Sequence, residues 1–228
     1  MESLEKKFAD ITKITDNYIK CPNQFVAIIS IEKNKICFLE NYINKKKRQN
    51  DEFKRFNIHM HDKCEINKTI VMILESPYKN EYNEKGNAIG PACGKTGENI
   101  SKYLLSNLMK YRLFEDELSN GCYLKSTNEI SEGVYKLFLV NVVPFQCKKS
   151  SDKNKNELIN ACMNNLNFQK YLISEIKAHT PTIIINSVTQ GIYKERINEI
   201  LLENFSSRIL LKSYHPSSAL FTSGFSKI

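Results

Sequence analysis

Ile70-Val71-Met72-Ile73-Leu74 is a run of five apolar residues that stops abruptly at Glu75-Ser76-Pro77-Tyr78. A short, continuously apolar, β-branched run bounded by breakers predicts a strand buried on both faces, as in the middle of a parallel sheet. In open α/β sheets, ligands bind just beyond the carboxyl ends of such strands. Glu75 therefore falls where chemistry is usually done. The bland alternative is that Glu75 caps the next element or pairs with a surface lysine.

Three further apolar runs, over residues 136–143, 182–186 and 208–212, also read as strands. Between them, residues 98–111, 157–177 and 190–204 carry apolar side chains at helical spacing. This alternation predicts an α/β fold: a three-layer α/β/α sandwich with a central four-stranded parallel sheet and right-handed crossovers. Upstream, Leu4, Phe8, Ile11, Ile14 and Tyr18 mark an amphipathic helix. Residues 25–31 suit a strand or a buried helix, and Phe38, Leu39, Tyr42 and Ile43 fall at helical spacing. The expectation is a mainly helical N-terminal extension over 1–68 joined to an α/β domain over 69–228 in one compact unit.

The chain of 228 residues carries a formal net charge of +8, which suits a polyanionic partner. Lys45-Lys46-Lys47-Arg48 and Lys54-Arg55, with Phe53 and Phe56 interleaved, read as a solvated helix face or as a phosphate-contacting arm. The first residues lack the apolar core of a secretory signal, and no apolar run reaches the ~20 residues that cross a bilayer. A cytoplasmic protein with reduced thiols and no membrane partner is expected. The seven cysteines include no Cys-x-x-Cys pair. His59, His61 and Cys64 lie close together, but no fourth ligand is evident, so a polar loop is preferred to a metal site.

Gly90-Pro91-Ala92-Cys93-Gly94-Lys95-Thr96 looks like a phosphate-binding loop, but one residue is missing between the first glycine and the Gly-Lys pair. The loop also does not follow its strand directly. A nucleotide-binding enzyme is kept as a distant alternative.

The strand ends offer a more coherent set. Strand one gives Glu75, Ser76, Pro77 and Tyr78; strand two gives Asn141; strand three gives Asn186 and Ser187; strand four leads to Tyr214 and His215. In a parallel sheet these ends share one edge. A carboxylate there can activate water or stabilise developing positive charge. An Asn amide can read a base edge, and a histidine can stabilise a departing oxyanion.

In order, Leu74-Glu75-Ser76-Pro77-Tyr78, Gly90 to Gly97, Phe138-Leu139-Val140-Asn141-Val142-Val143-Pro144 and His215-Pro216-Ser217-Ser218 resemble the motifs of the uracil-DNA glycosylase superfamily. The resemblance spans residues 70–220. It implies a pocket for a flipped nucleotide and hydrolysis of its N-glycosidic bond, because the target bond is inaccessible in a stacked duplex. It implies catalytic roles for Glu75, Ser76 and His215, and base contacts from Asn141, Tyr78 and Pro77. It implies DNA contacts at Gly94, Lys95 and Ser217, with Leu220 or Phe221 filling the gap left in the duplex.

The chain departs from the family pattern where Leu74 replaces a Gly and Ser76 replaces an Asp, so the acid role passes to Glu75. Cys147 and Cys162 resemble two of the ligands of the iron–sulfur members. The remaining ligands should form a close N-terminal pair, whereas Cys21, Cys37 and Cys64 are widely spaced, so no cofactor is expected. The reading is a monomeric, monofunctional DNA glycosylase acting on uracil or a modified cytosine, the latter as a defence against phage DNA. The alternative is a non-catalytic DNA- or protein-binding module on the same fold.

Overall fold

The computed structural model describes residues 24–43, 68–76, 81, 92, 94–120, 130–143, 162–189 and 191–228. The elements are β1 (Gln24–Glu32), β2 (Lys35–Asn41), β3 (Lys68–Leu74), α1 (Lys95–Asn120), β4 (Gly133–Asn141), α2 (Leu166–Ala178), β5 (Ile183–Asn186), α3 (Ile192–Phe205), β6 (Ile209–Lys212) and β7 (Ser226–Lys227). A 3-10 helix, Ala219–Ser223, precedes β7.

The fold is α/β. The sheet is mixed and seven-stranded, in the order β2-β1-β4-β3-β5-β6-β7. Its middle is parallel: β3 pairs with β4 on one side and β5 on the other, and β5 pairs with β6. The expected four strands are thus consecutive neighbours within a larger sheet. What sequence reasoning missed is the flanking hairpin. Residues 24–41 form two antiparallel strands rather than a helical region, and β1 pairs antiparallel with β4. The physical reason is the β-branched content of residues 26–31 and the two-residue turn at Lys33-Asn34, which lets Glu32 pair with Lys35.

Alternation along β3 divides the core. Ile70, Met72 and Leu74 pack with Ile100, Leu104 and Leu108 of α1 on one face. Val71 and Ile73 pack with Leu172 and Ile176 of α2 and with Ile197 and Leu201 of α3 on the other. Each fully buried aliphatic side chain contributes about 1.5–3 kcal/mol. The strand is apolar throughout because both its faces are covered.

Helix α2 begins where the Asn165 side chain accepts from the Asn167 and Phe168 amides at 2.9 and 3.2 Å. Helix α1 begins against Ala92, which is buried with φ 48°. A Cβ at Gly97 would lie 1.7 Å from the Ala92 carbonyl oxygen, so only glycine admits this approach of backbone to helix.

The sheet closes round the start of α1. Ser101 meets Asn41 of β2, whose Nδ2 lies 3.5 Å from its Oγ, and Asn99 meets Pro216 beyond β6. Five strand positions separate β2 from β6, about 24 Å on a flat sheet. Helix α1 reaches β2 on one side and the 216–222 segment beyond β6 on the other.

The helix expected over residues 2–20, the basic stretch 45–56, and His59, His61 and Cys64 lie outside the described residues. So do Pro77, Tyr78, Gly90, Pro91, Cys93 and Cys147.

Candidate functional site

Strands β3 and β4 run parallel with Leu74 opposite Asn141. Glu75 is the next residue along, so its backbone neighbours that of Asn141 at the carboxyl edge. The pairing runs on past the strands, with Val142 N–H donating to Leu74 O at 2.8 Å and Val143 N–H to Glu75 O at 2.9 Å. Both side chains are buried, Glu75 at 8% and Asn141 at 7% exposure. Asn141 shares the face of Leu74 and α1. Its Oδ1 is buried and has no hydrogen-bond partner among the described residues. Buried carbonyl groups are nearly always satisfied, and leaving one bare costs about 1–3 kcal/mol.

Asn186 has a different part. Its Nδ2 donates to Lys194 O at 3.1 Å and to Asn198 Oδ1 at 2.7 Å, and its Oδ1 accepts from Val188 N–H at 3.1 Å. It ties β5 to α3 and is fully buried. Ser187 Oγ and Ser213 Oγ are 2.8 Å apart, joining the ends of β5 and β6.

His215 follows β6, two strands across from β3, about 10 Å in the sheet. His215-Pro216-Ser217-Ser218 is a turn closed by Ser218 N–H donating to His215 O at 2.8 Å. Proline second in such a turn has its φ already set. The turn brings Ser217 N–H to His215 Nδ1 at 3.2 Å, with Ser217 Oγ at 2.8 Å from the same nitrogen. A backbone N–H only donates, so Nδ1 accepts, and the proton of the neutral ring is on Nε2. The ring is partly exposed, and in this tautomer Nε2–H is its donor.

Side chains from α1 and α3 hold this segment by its carbonyls. Asn99 Nδ2 donates to Pro216 O at 2.6 Å, Asn107 Nδ2 to Phe221 O at 2.8 Å, and Lys110 Nζ to Thr222 O at 3.2 Å, all from α1. Lys194 Nζ donates from α3 to Ser213 O. Lys194 is buried, and its ammonium lies 5.9 Å from the Tyr214 ring centroid. Burial lowers its pKa; the carboxylate of Glu195 opposes the shift and the charge of Lys212 adds to it. Sequence reasoning missed Lys194, Asn99 and Asn107. A signal existed for the first, since Lys194 is in helical register with the buried Ile197, Asn198, Leu201 and Phe205.

Of the apolar pair past the turn, Leu220 is 52% exposed, whereas Phe221 is buried in the core between sheet and α1. Leu220 is therefore the one presented to solvent, its amide held by Ser218 Oγ at 3.2 Å. Ser217 and Lys95 are exposed, Ser76 is half-buried, and Gly94, with φ 115°, precedes the first turn of α1. Lys95 opens α1, 21 positions after the last residue of β3, so the Gly-Lys-Thr sequence does not sit at a strand end.

Cys162 is fully buried in the second core, and Cys37 lies on the edge strand β2. Among the described residues no three His, Cys, Asp or Glu side chains gather to hold a metal ion. No described helix is long and apolar enough to cross a membrane. No family model, curated protein or solved structure matches the chain.

Proposed function

We propose that the chain is a monofunctional DNA glycosylase that hydrolyses the N-glycosidic bond of a flipped base and leaves an abasic site. The observation that carries this reading is the buried Oδ1 of Asn141, without a hydrogen-bond partner among the described residues, at the carboxyl edge of the sheet where the buried Glu75 also stands. An acceptor left bare at a strand's carboxyl edge suits a ligand that brings an N–H donor. Uracil offers one on its ring, and cytosine and its modified forms offer one on the exocyclic amine.

In the proposed reaction the bond from the sugar's C1′ to the base nitrogen breaks. Positive charge develops on the sugar and negative charge on the base. Glu75 stabilises the first and takes the proton of the attacking water, whose oxygen joins C1′. His215, neutral and donating from Nε2, stabilises the base oxygen. Asn141 reads the base edge. A catalytic role for Ser76 and base contacts from Pro77 and Tyr78 belong to the same proposal. Leu220 fills the vacated stack, and Gly94, Lys95 and Ser217 contact phosphates. The two cores on opposite sheet faces support a three-layer arrangement about a four-stranded parallel centre. The monomer as active unit, a cytoplasmic setting, and uracil or a modified cytosine as the target, the latter in phage DNA, belong to the same proposal.

The test is base release from single- and double-stranded DNA carrying uracil, hypoxanthine, or methylated, hydroxymethylated or glucosylated cytosine, read as strand cleavage at abasic sites. Release from one substrate supports the reading. DNA binding that weakens with salt, without release from any substrate, supports the non-catalytic module instead.

A further inference from the structure

The turn that carries His215 is held from both sides of the sheet. On one side Asn99 of α1 donates to Pro216 O at 2.6 Å. On the other, Lys194 of α3 donates to Ser213 O. The two bonded carbonyls bracket Tyr214 and His215. The stretch between them determines whether Ser217 N–H meets His215 Nδ1, as it does at 3.2 Å. A lysine is among the residues least often buried. Lys194 is 5% exposed, with its ammonium directed to a main-chain carbonyl.

The surroundings exclude other uses of this lysine. Ser187, Ser213 and Lys194 together resemble the serine–lysine pairs of some hydrolases. However, both hydroxyls are buried, they bond to each other at 2.8 Å, and the ammonium goes to the Ser213 carbonyl. What the lysine does hold is the entry to the histidine turn.

We propose that Lys194 and Asn99 are positioning residues for His215, pinning the 213–217 turn so that Ser217 N–H occupies Nδ1 and the proton of the imidazole stays on Nε2. The proposal rests on the glycosylase reading for the use made of that donor. Its geometry can be tested without DNA. If either anchor is lost, the turn relaxes about Pro216, the Ser217 amide turns to solvent, and both ring nitrogens compete for the proton.

The experiment uses the full chain with 15N-labelled histidine and a 15N-labelled backbone, at a pH where His215 is neutral. Lys194→Met keeps length and removes the donor; Lys194→Arg keeps a cationic donor; Asn99→Ala removes the second anchor. The His215 resonances are assigned by their absence in His215→Ala. In the wild type, the Nδ1 shift of an unprotonated, hydrogen-bonded nitrogen and a slowly exchanging Ser217 amide are expected. In Lys194→Met and in Asn99→Ala, both signals move toward solvent-exposed values. The Ser217 amide exchanges about tenfold faster or more, with the thermal midpoint still well above the measuring temperature. Lys194→Arg retains the wild-type signals.

Unchanged Nδ1 and Ser217 signals in the single variants and in Asn99→Ala/Lys194→Met would overturn the proposal. Should Lys194→Met not fold, Asn99→Ala, at a half-buried position on α1, decides the matter by the same signals. On a cleaved substrate, the positioning role predicts a fall in kcat of about 100-fold with KM little changed. Moved signals in a protein that releases no base support the clamp and overturn only the glycosylase reading.

Discussion

Asn99 and Pro216 stand 117 positions apart, and the Asn99 amide donates to the Pro216 carbonyl at 2.6 Å. That bond fastens the first turn of α1 to the turn bearing His215. The same helix holds Phe221 O and Thr222 O through Asn107 and Lys110. The segment from Pro216 to Thr222 therefore takes its shape from α1, and the placement of α1 matters to each of its residues.

Gly97 fixes that placement. A methyl group there would lie 1.7 Å from a backbone oxygen, which cannot move aside as a flexible side chain can. Gly97→Ala is expected to lower stability by about 1–3 kcal/mol. It should also displace the His215 turn, seen as a changed Ser217 amide shift. Chemical denaturation and a proton–nitrogen correlation spectrum check both effects.

Asn107 is fully buried; one amide hydrogen is on Phe221 O, while its Oδ1, like that of Asn141, has no partner among the described residues. Asn107→Ala leaves that carbonyl without its donor and opens a small void, so a loss of about 1–3 kcal/mol is expected. The 3-10 helix bearing Leu220 should loosen first, and amide exchange across residues 219–223 should rise more than exchange in β3.

Asn141 should behave in the opposite sense. Replacing a bare buried carbonyl by an apolar group of similar size removes its desolvation penalty. Asn141→Leu is expected to leave the thermal midpoint unchanged or raised while abolishing base release. A loss of both stability and activity would instead mean that Oδ1 has a partner in the folded chain.

His179 supplies a pH signature. It ends α2, and its ring stacks on Phe138 with centroids 4.1 Å apart. Burial lowers its pKa from 6.5, with Glu175 opposing the shift. The unfolded chain therefore binds a proton more readily than the folded one in that window, and stability rises with pH there. Above about 6.5 both states are neutral and the penalty is absent; it grows as pH falls below that value and levels off below the folded pKa. Thermal midpoints of wild type and His179→Gln measured between pH 5 and 8 should converge at the top of this range, once the constant effect of the substitution is removed. They should diverge toward the bottom.

The α/β alternation was legible because the strands are short, fully apolar and buried on both faces, as in Ile70 to Leu74. The hairpin was not. Its turn is Lys33-Asn34, without the glycine that usually marks a two-residue loop, and a bulge between Ile28 and Ile29 breaks the register. The strand-end residues Glu75 and Asn141 could be placed because one parallel pairing fixes both. The clamp could not, since Asn99 and Asn107 look like ordinary polar helix residues until the 216–222 backbone lies beside them. Lys194 sits on an apolar stripe, yet a lysine between Tyr193 and Glu195 reads as a solvated face unless the register with Ile197 and Leu201 is followed.

The central claim is that Glu75, Asn141 and His215 together release a base. The most direct measurement is single-turnover base release across the DNA panel by wild type, Glu75→Gln and His215→Ala, each verified as folded. The account predicts abasic sites on one substrate with wild type, and a loss of about 100-fold or more in each variant. Equal rates in wild type and Glu75→Gln, or no release from any base while DNA is still bound, would contradict it.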